Sequence, residues 1–227
     1  SSLRARQIPP VRETPVPAKL LADAGRVTWL RDPNDWFDMQ IPNSFDIERA
    51  DVAKQRGNGW ELPATPNARD GVFATFEFTE QIVGWPYFTI DAPEGTIVEL
   101  MIQEGHDLEK GPLWLDTHLF SWSRFICREG VNEFRTFDYE SARWVQLHVR
   151  NAGRPVVIRN VGIQRRTYPW PEKPHIVCDD APLQRLFDAS INTVYKSAIE
   201  TFVDGMGRER QQYSGDGGVQ IFAARYA

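Results

Sequence analysis

Val72-Phe73-Ala74-Thr75-Phe76-Glu77-Phe78-Thr79 sets Val72, Ala74, Phe76 and Phe78 on one side of an extended chain and Phe73, Thr75, Glu77 and Thr79 on the other. An apolar period of two is that of a strand with one face on a core. The alternation returns at Val98, Leu100 and Ile102 against Glu99, Met101 and Gln103, and at Val145, Leu147 and Val149 against Trp144, Gln146 and His148. Turn formers stand between these runs. Ala92-Pro93-Glu94-Gly95, with Pro second and Gly fourth, predicts a type I turn. Arg128-Glu129-Gly130-Val131 and Asn151-Ala152-Gly153-Arg154 punctuate the next two strand pairs. Seven or more short strands separated in this way predict a mainly β fold, an antiparallel, jelly-roll-like β-sandwich over residues 26–168. Residues 54–70, with Gly57, Gly59, Pro63 and Pro66, read as a surface loop.

On the N-terminal side, residues 1–25 form a lead-in. Pro9, Pro10, Pro15 and Pro17 lack the amide that a strand or helix interior needs, so this stretch is expected to be extended and unpaired. On the C-terminal side, Pro169, Pro171 and Pro174 make residues 169–177 a stiff linker. Cys178-Asp179-Asp180-Ala181-Pro182 then offers an Asp N-cap with proline in the first turn. Leu183, Leu186, Phe187, Ile191, Val194, Ala198 and Phe202 put an apolar face on a helix from about 182 to 202. A polar loop spans 204–216, and a second helix is expected to begin near Gly217 and to be still running at Ala227. Two helices with apolar faces need partners, so residues 178–227 are expected to open a larger helical domain. Ser1–Val16 carries no basic segment followed by an apolar core, so the expectation is either a leader already removed or a piece of a longer chain.

At roughly 150 residues per domain, 227 residues hold one β domain and a smaller piece. Lys and Arg total 26 against 31 Asp and Glu, a net charge of -5, so no cation excess is available to neutralise phosphates. Nucleic acid is therefore not expected as a partner. Neither is a membrane, because no run approaches 18 apolar residues. Cys127 and Cys178 have no Cys-x-x-Cys spacing and are expected to be free thiols. Glu104-Gly105-His106-Asp107 reads as a turn, and His118, His148 and His175 are isolated, so no metal or other cofactor is expected. Trp114 and Trp122 fit either stacking on sugar rings or packing in a core.

The densest polar cluster is Asp204-Gly205-Met206-Gly207-Arg208-Glu209-Arg210-Gln211-Gln212-Tyr213-Ser214-Gly215-Asp216. Carboxyl groups gathered in a glycine-punctuated loop suit sugar chemistry: one protonates a leaving oxygen, another activates water or attacks, and others hold ring hydroxyls. Asp216 also fits as the N-cap of the following helix, and Arg208, Glu209 and Arg210 as a solvated charge cluster.

Asp204-x-x-x-Arg208-Glu209-Arg210 followed by Tyr213-Ser214-Gly215-Asp216 resembles the active-site signature of the inverting α-L-rhamnosidases of glycoside hydrolase family 78: an Asp, a Glu five residues on, and an Asp seven further. Phe137-Asp138-Tyr139-Glu140-Ser141-Ala142-Arg143-Trp144-Val145 is similar to the strand that ends that family's sandwich, and Ala5–Glu13 to its proline-rich connector. The resemblance implies a sandwich followed by the first helices of an (α/α)6 barrel. It also implies Glu209 as general acid, with Asp204, Arg208 and Asp216 as substrate-binding residues. The substrate would be a rhamnose-containing glycoside or polysaccharide. The partner would be the remainder of the catalytic barrel, which carries the family's general base. Where the family commonly has Cys-Pro after the first Asp, this chain has Gly205-Met206-Gly207. Arg208 and Arg210 favour an ionised Glu209, while Asp204, Asp216 and burial oppose it; the expectation is that the latter prevail often enough for Glu209 to donate a proton. The alternative is a non-catalytic β-sandwich at 26–168 that binds carbohydrate or braces a neighbouring domain.

Overall fold

A computed structural model of the chain describes residues 9–31, 44–105, 107–111, 122–170, 176–199, 201–207 and 209–225. These divide into two units: Pro15–Gln164, and Arg165–Ala227 together with Ser1–Thr14.

The larger unit is mainly β and antiparallel. Its strands are β1 (Arg12–Pro17, shared with the smaller unit), β2 (Leu20–Trp29), β3 (Phe45–Arg49), β4 (Lys54–Arg56), β5 (Gly59–Leu62), β6 (Asp70–Ala92), β7 (Ile97–Gln103), β8 (Trp122–Ile126), β9 (Gly130–Arg135), β10 (Glu140–Arg150) and β11 (Val156–Thr167). They join in one eleven-stranded hydrogen-bonded sheet of order β4-β5-β11-β6-β10-β7-β8, with β2 and β9 also on β6, β3 on β2 and β1 on β11. A two-layer sandwich of short strands is expected; the sheet is sandwich-like, but not all of its strands are short. The difference is β6, whose 23 residues pair with β2 and β10 through their first part and with β9 from Tyr87 to Ala92. Its parity never breaks: Val72, Ala74, Phe76, Phe78, Ile82, Phe88, Ile90 and Ala92 all enter one core with Val98, Leu100, Val145, Leu147, Ile158 and Ile163.

Several local expectations change. The prolines do not prevent β1, because an edge strand has one side without a partner. Ala18 donates to the Val161 carbonyl at 2.9 Å, so the two-residue alternation turns positions 15 and 17 away from β11. Residues 54–62 are a hairpin rather than a loop: Arg56 pairs with Gly59, and Gly57 at φ 61 supplies the positive first position of a type II′ turn. The turn after β6 lies one residue later than expected. Thr96 donates to the Pro93 carbonyl at 3.3 Å and Gly95 has φ 77, the third-position glycine of type II geometry.

The strands were expected to have one buried face. Around β10 both are buried. Opposite the main core, Trp29, Phe45, Met101 and Trp122 form a second apolar cluster. With it lie buried Glu99, Gln146, His148 and Arg150. Each of these residues makes at least one side-chain hydrogen bond, while Glu99 Oε2, His148 Nδ1 and Arg150 Nε have no hydrogen-bond partner among the described residues. Glu99 Oε1 accepts from Arg150 Nη2 at 2.6 Å and Arg124 Nε at 2.8 Å. Arg150 also lies over the Trp29 ring at 4.3 Å. Gln146 donates to Thr75 Oγ1 at 2.8 Å, which leaves its Oε1 to accept from His148 Nε2, also at 2.8 Å. The charged trio is anchoring rather than net stabilising, since desolvation offsets most of the attraction while loss of one partner strands the other.

In the smaller unit, α1 (Ala181–Ser197) has the expected cap, Asp180 Oδ1 accepting from the Leu183 amide at 3.0 Å with proline in the first turn. It stops five residues short of the expected end. Ala198 is extended and bridges back to Phe202, and Val203 donates to the Ser197 carbonyl at 3.1 Å. Trp170, stacked on Tyr195 at 5.0 Å and tilted to Phe202 at 6.4 Å, packs this fold-back. The second helix, α2 (Ser214–Ala224), starts at Ser214 rather than Gly217. Both cysteines are free, as expected.

Burial, with the Arg150 charge as a second cause, lowers the His148 pKa from 6.5 to about 3. The unfolded chain therefore protonates this residue as pH falls through 6.5, and the folded chain only near 3. Stability contributed by the neutral ring is intact above pH 6.5 and lost progressively below it. Urea unfolding at pH 7 and pH 5 should differ by about 2 kcal/mol through this residue. His148→Leu should remove that difference while lowering stability at both values, because Gln146 loses its donor. An unchanged pH dependence in the variant would contradict the assignment.

Candidate functional site

The loop between α1 and α2 is closed by one carboxylate. Asp204 donates its amide to the Gln211 carbonyl at 2.9 Å, and Gln211 returns its amide to Asp204 Oδ1 at 2.8 Å. Gln211 Nε2 also donates to the Glu209 carbonyl at 3.1 Å. Reversal within so few residues needs a left-handed residue, and Arg210 takes that conformation at φ 55, a costly choice for a non-glycine side chain. Gln220 of α2 donates to the Val203 carbonyl at 2.7 Å and ties the helix to the loop base.

Desolvation is the largest single influence on the Asp204 carboxyl and pushes its pKa up. Hydrogen bonds from the Gln211 and Gly205 amides, the Glu209 side chain and its own amide together outweigh that, and hold it below the ordinary value of 3.8. Asp204 is thus an acceptor with its negative charge fixed by the backbone. Glu209, half-buried, lies beside that carboxylate.

Two of the four sequence-predicted residues, Asp204 and Glu209, are therefore brought together. Asp216 is exposed in the first turn of α2, two residues inside the helix. It does not cap that helix; Tyr213 occupies the cap position without a side-chain bond, and Gly217 donates to its carbonyl at 2.8 Å. Arg208 lies outside the described residues, as does Trp114. Trp122 is 9% exposed, packed in the second cluster beneath the Arg124 guanidinium, and is not presented for stacking. Glu104 accepts from Gln81 at 2.7 Å and Asp107 caps the short 3-10 turn Leu108–Lys110, so these carboxylates have local structural partners. Among the described residues no three His, Cys, Asp or Glu side chains are grouped to hold a metal. Gln211, whose main chain completes the closure, carried no signal beyond its place in a polar run.

Asp204→Ala removes the acceptor for the Gln211 amide. Hydrogen exchange at that amide should accelerate by at least about tenfold, as expected for losing a charge-assisted bond. Because the folded pKa is depressed, closure should be fully present above pH 3.8 and lost as pH falls below it. Unchanged exchange in the variant would show that the loop closes by other means.

No family model matches the sequence, and no curated protein matches it. Solved structures do. A family 78 rhamnosidase of Bacillus sp. GL1 superposes with a TM-score of 0.69 and 22% identity, covering 82% of this chain and 21% of that one. A rhamnosidase from Klebsiella oxytoca with rhamnose bound gives 0.67 and 16%, covering 96% and 41%. An α-L-rhamnosidase from Dictyoglumus thermophilum gives 0.55 and 14%, covering 73% and 19%. The chain thus spans between 19% and 41% of the length of these structures. Over the part it does span, its fold is similar to that of these three rhamnosidase structures, one of them of family 78.

Proposed function

We propose that this chain is part of a glycoside hydrolase that removes terminal α-L-rhamnosyl, or a related deoxysugar, with inversion, and that Glu209 is its general acid. The observation that carries the proposal is the closed loop that sets Glu209 beside the Asp204 carboxylate, on a rhamnosidase-like fold. The Gln211 and Gly205 amides favour charge on Asp204. Neighbouring carboxyl groups of this kind suit the protonation of a departing glycosidic oxygen. The rhamnosidase-like fold makes a rhamnoside the substrate of first choice.

In this reading Asp204 positions Glu209 and, with Arg208 and Asp216, holds ring hydroxyls. The two helices open an (α/α)6 barrel in a longer chain. The base that activates water comes from the rest of that barrel, at the roughly 6.5–9.5 Å carboxyl separation of an inverting site. Residues 1–227 alone should then be inactive.

The test uses the whole enzyme that contains this chain and two rhamnosides, one with a nitrophenol and one with a simple alcohol as leaving group. Glu209→Gln should slow hydrolysis of the alkyl rhamnoside by about 10²–10⁴. The nitrophenyl rhamnoside should suffer much less, because its leaving group departs without protonation. Equal losses on both substrates would exclude Glu209 as the acid. Proton NMR of the first-formed rhamnose should show the β anomer; the α anomer would exclude inversion.

A further inference from the structure

The β unit carries a recess of about 440 Å³ where β2 and the end of β3 meet, lined by Leu21, Ala22, Asp23, Ala24, Arg49, Ala50, Asp51 and Ala53. That volume lies within the ~300–1,000 Å³ of small-molecule sites. Four of its lining side chains are single methyl groups, so the hollow exists because nothing larger fills it.

Its polar groups are held in place. β2 bulges between Leu21 and Asp23, which places one extra residue against β6 and re-aims the side chains around it. Asp23, 8% exposed, accepts from Arg49 Nε at 2.7 Å. Arg49 Nη2 donates to the carbonyls of Leu108 and, at 2.8 Å, Gly111. Three acceptors on two nitrogens fix the guanidinium plane and leave Nη1 for a ligand. Asp51 is exposed and makes no hydrogen bond or ion pair among the described residues.

A preset guanidinium donor, an open carboxylate acceptor and a floor of methyl groups match one chemistry well. Adjacent hydroxyls both donate and accept, while the C–H face of a sugar ring lies on small apolar groups. The guanidinium in the lining disfavours a metal cation. Two carboxylates against one guanidinium disfavour a uronate or a phosphate. We propose that this recess is a binding subsite for a neutral pyranose, with Arg49 donating to and Asp51 accepting from neighbouring hydroxyls. It rests on no part of the catalytic reading.

The test is methyl NMR of the 227-residue chain labelled at alanine, titrated with methyl α-L-rhamnopyranoside, methyl α-D-mannopyranoside and galacturonate. The Ala22, Ala24, Ala50 and Ala53 methyls should shift saturably with a neutral glycoside, while those of the buried Ala74, Ala92 and Ala142 stay in place. Asp51→Ala should weaken binding about tenfold or more, as for loss of a charge-assisted hydrogen bond, with Asp51→Asn in between. Glu209→Gln should leave the shifts unchanged, which separates this site from the catalytic one. Absence of saturable shifts, shifts indifferent to Asp51→Ala, or a stronger response to galacturonate would each overturn the proposal.

Discussion

A carboxylate surrounded by backbone amides cannot easily give up its charge, and in this chain that constraint organises the polar loop. Asp204 accepts from the amides of Gln211 and Gly205, and these bonds close the loop as well as keep the group ionised. The Glu209 side chain lies beside it. Loop shape and the fixed charge on Asp204 thus have one cause. The left-handed Arg210 is the conformational cost of bringing Gln211 back to Asp204, and a strained residue at the turn of a polar loop is a frequent companion of chemistry.

The β unit is organised by a different constraint. Because β6 keeps its parity over 23 residues, one strand serves strands along its whole length and one apolar core is shared among them. The opposite face of β10 is closed by β2 and β3, and away from water there Glu99 pairs with Arg150 and Gln146 with Thr75 and His148. Such a layer tolerates little rearrangement, since removing any member leaves a buried polar group without its partner. Strands fixed in this way hold Asp23 and Arg49 in register beside the alanine-lined recess.

Much of this was legible in the residues. The alternation at Val72–Thr79, the Asp180 cap and the acid loop at 204–216 are local patterns, and local patterns survive folding. What was missed depends on distant neighbours. The proline-bearing β1 is permitted by its position at a sheet edge, which the sequence around Pro15 and Pro17 does not encode. The end of α1 at Ser197 reflects packing of Tyr195 and Phe202 on Trp170, while the 3.6-residue period runs on to Phe202. Glu99 and His148 read as solvent-facing because alternation cannot tell one covered face from two. Asp23, Arg49 and Asp51 carry no motif: 26 residues separate the ion pair, and only the pairing of β2 with β3 brings it together. The spacing that joined Asp204 to Glu209 was readable because both lie in one loop, whereas Asp216 falls inside α2 rather than at its cap.

The central claim is that Glu209 delivers the proton to the departing oxygen of a rhamnoside. The most direct measurement is a crystal structure of the whole enzyme, carrying Glu209→Gln to prevent turnover, with an uncleaved rhamnoside bound. The account predicts the side-chain amide of residue 209 within about 3 Å of the glycosidic oxygen, the reach required of a general acid. A rhamnoside seated with that oxygen facing a different carboxyl group would contradict it.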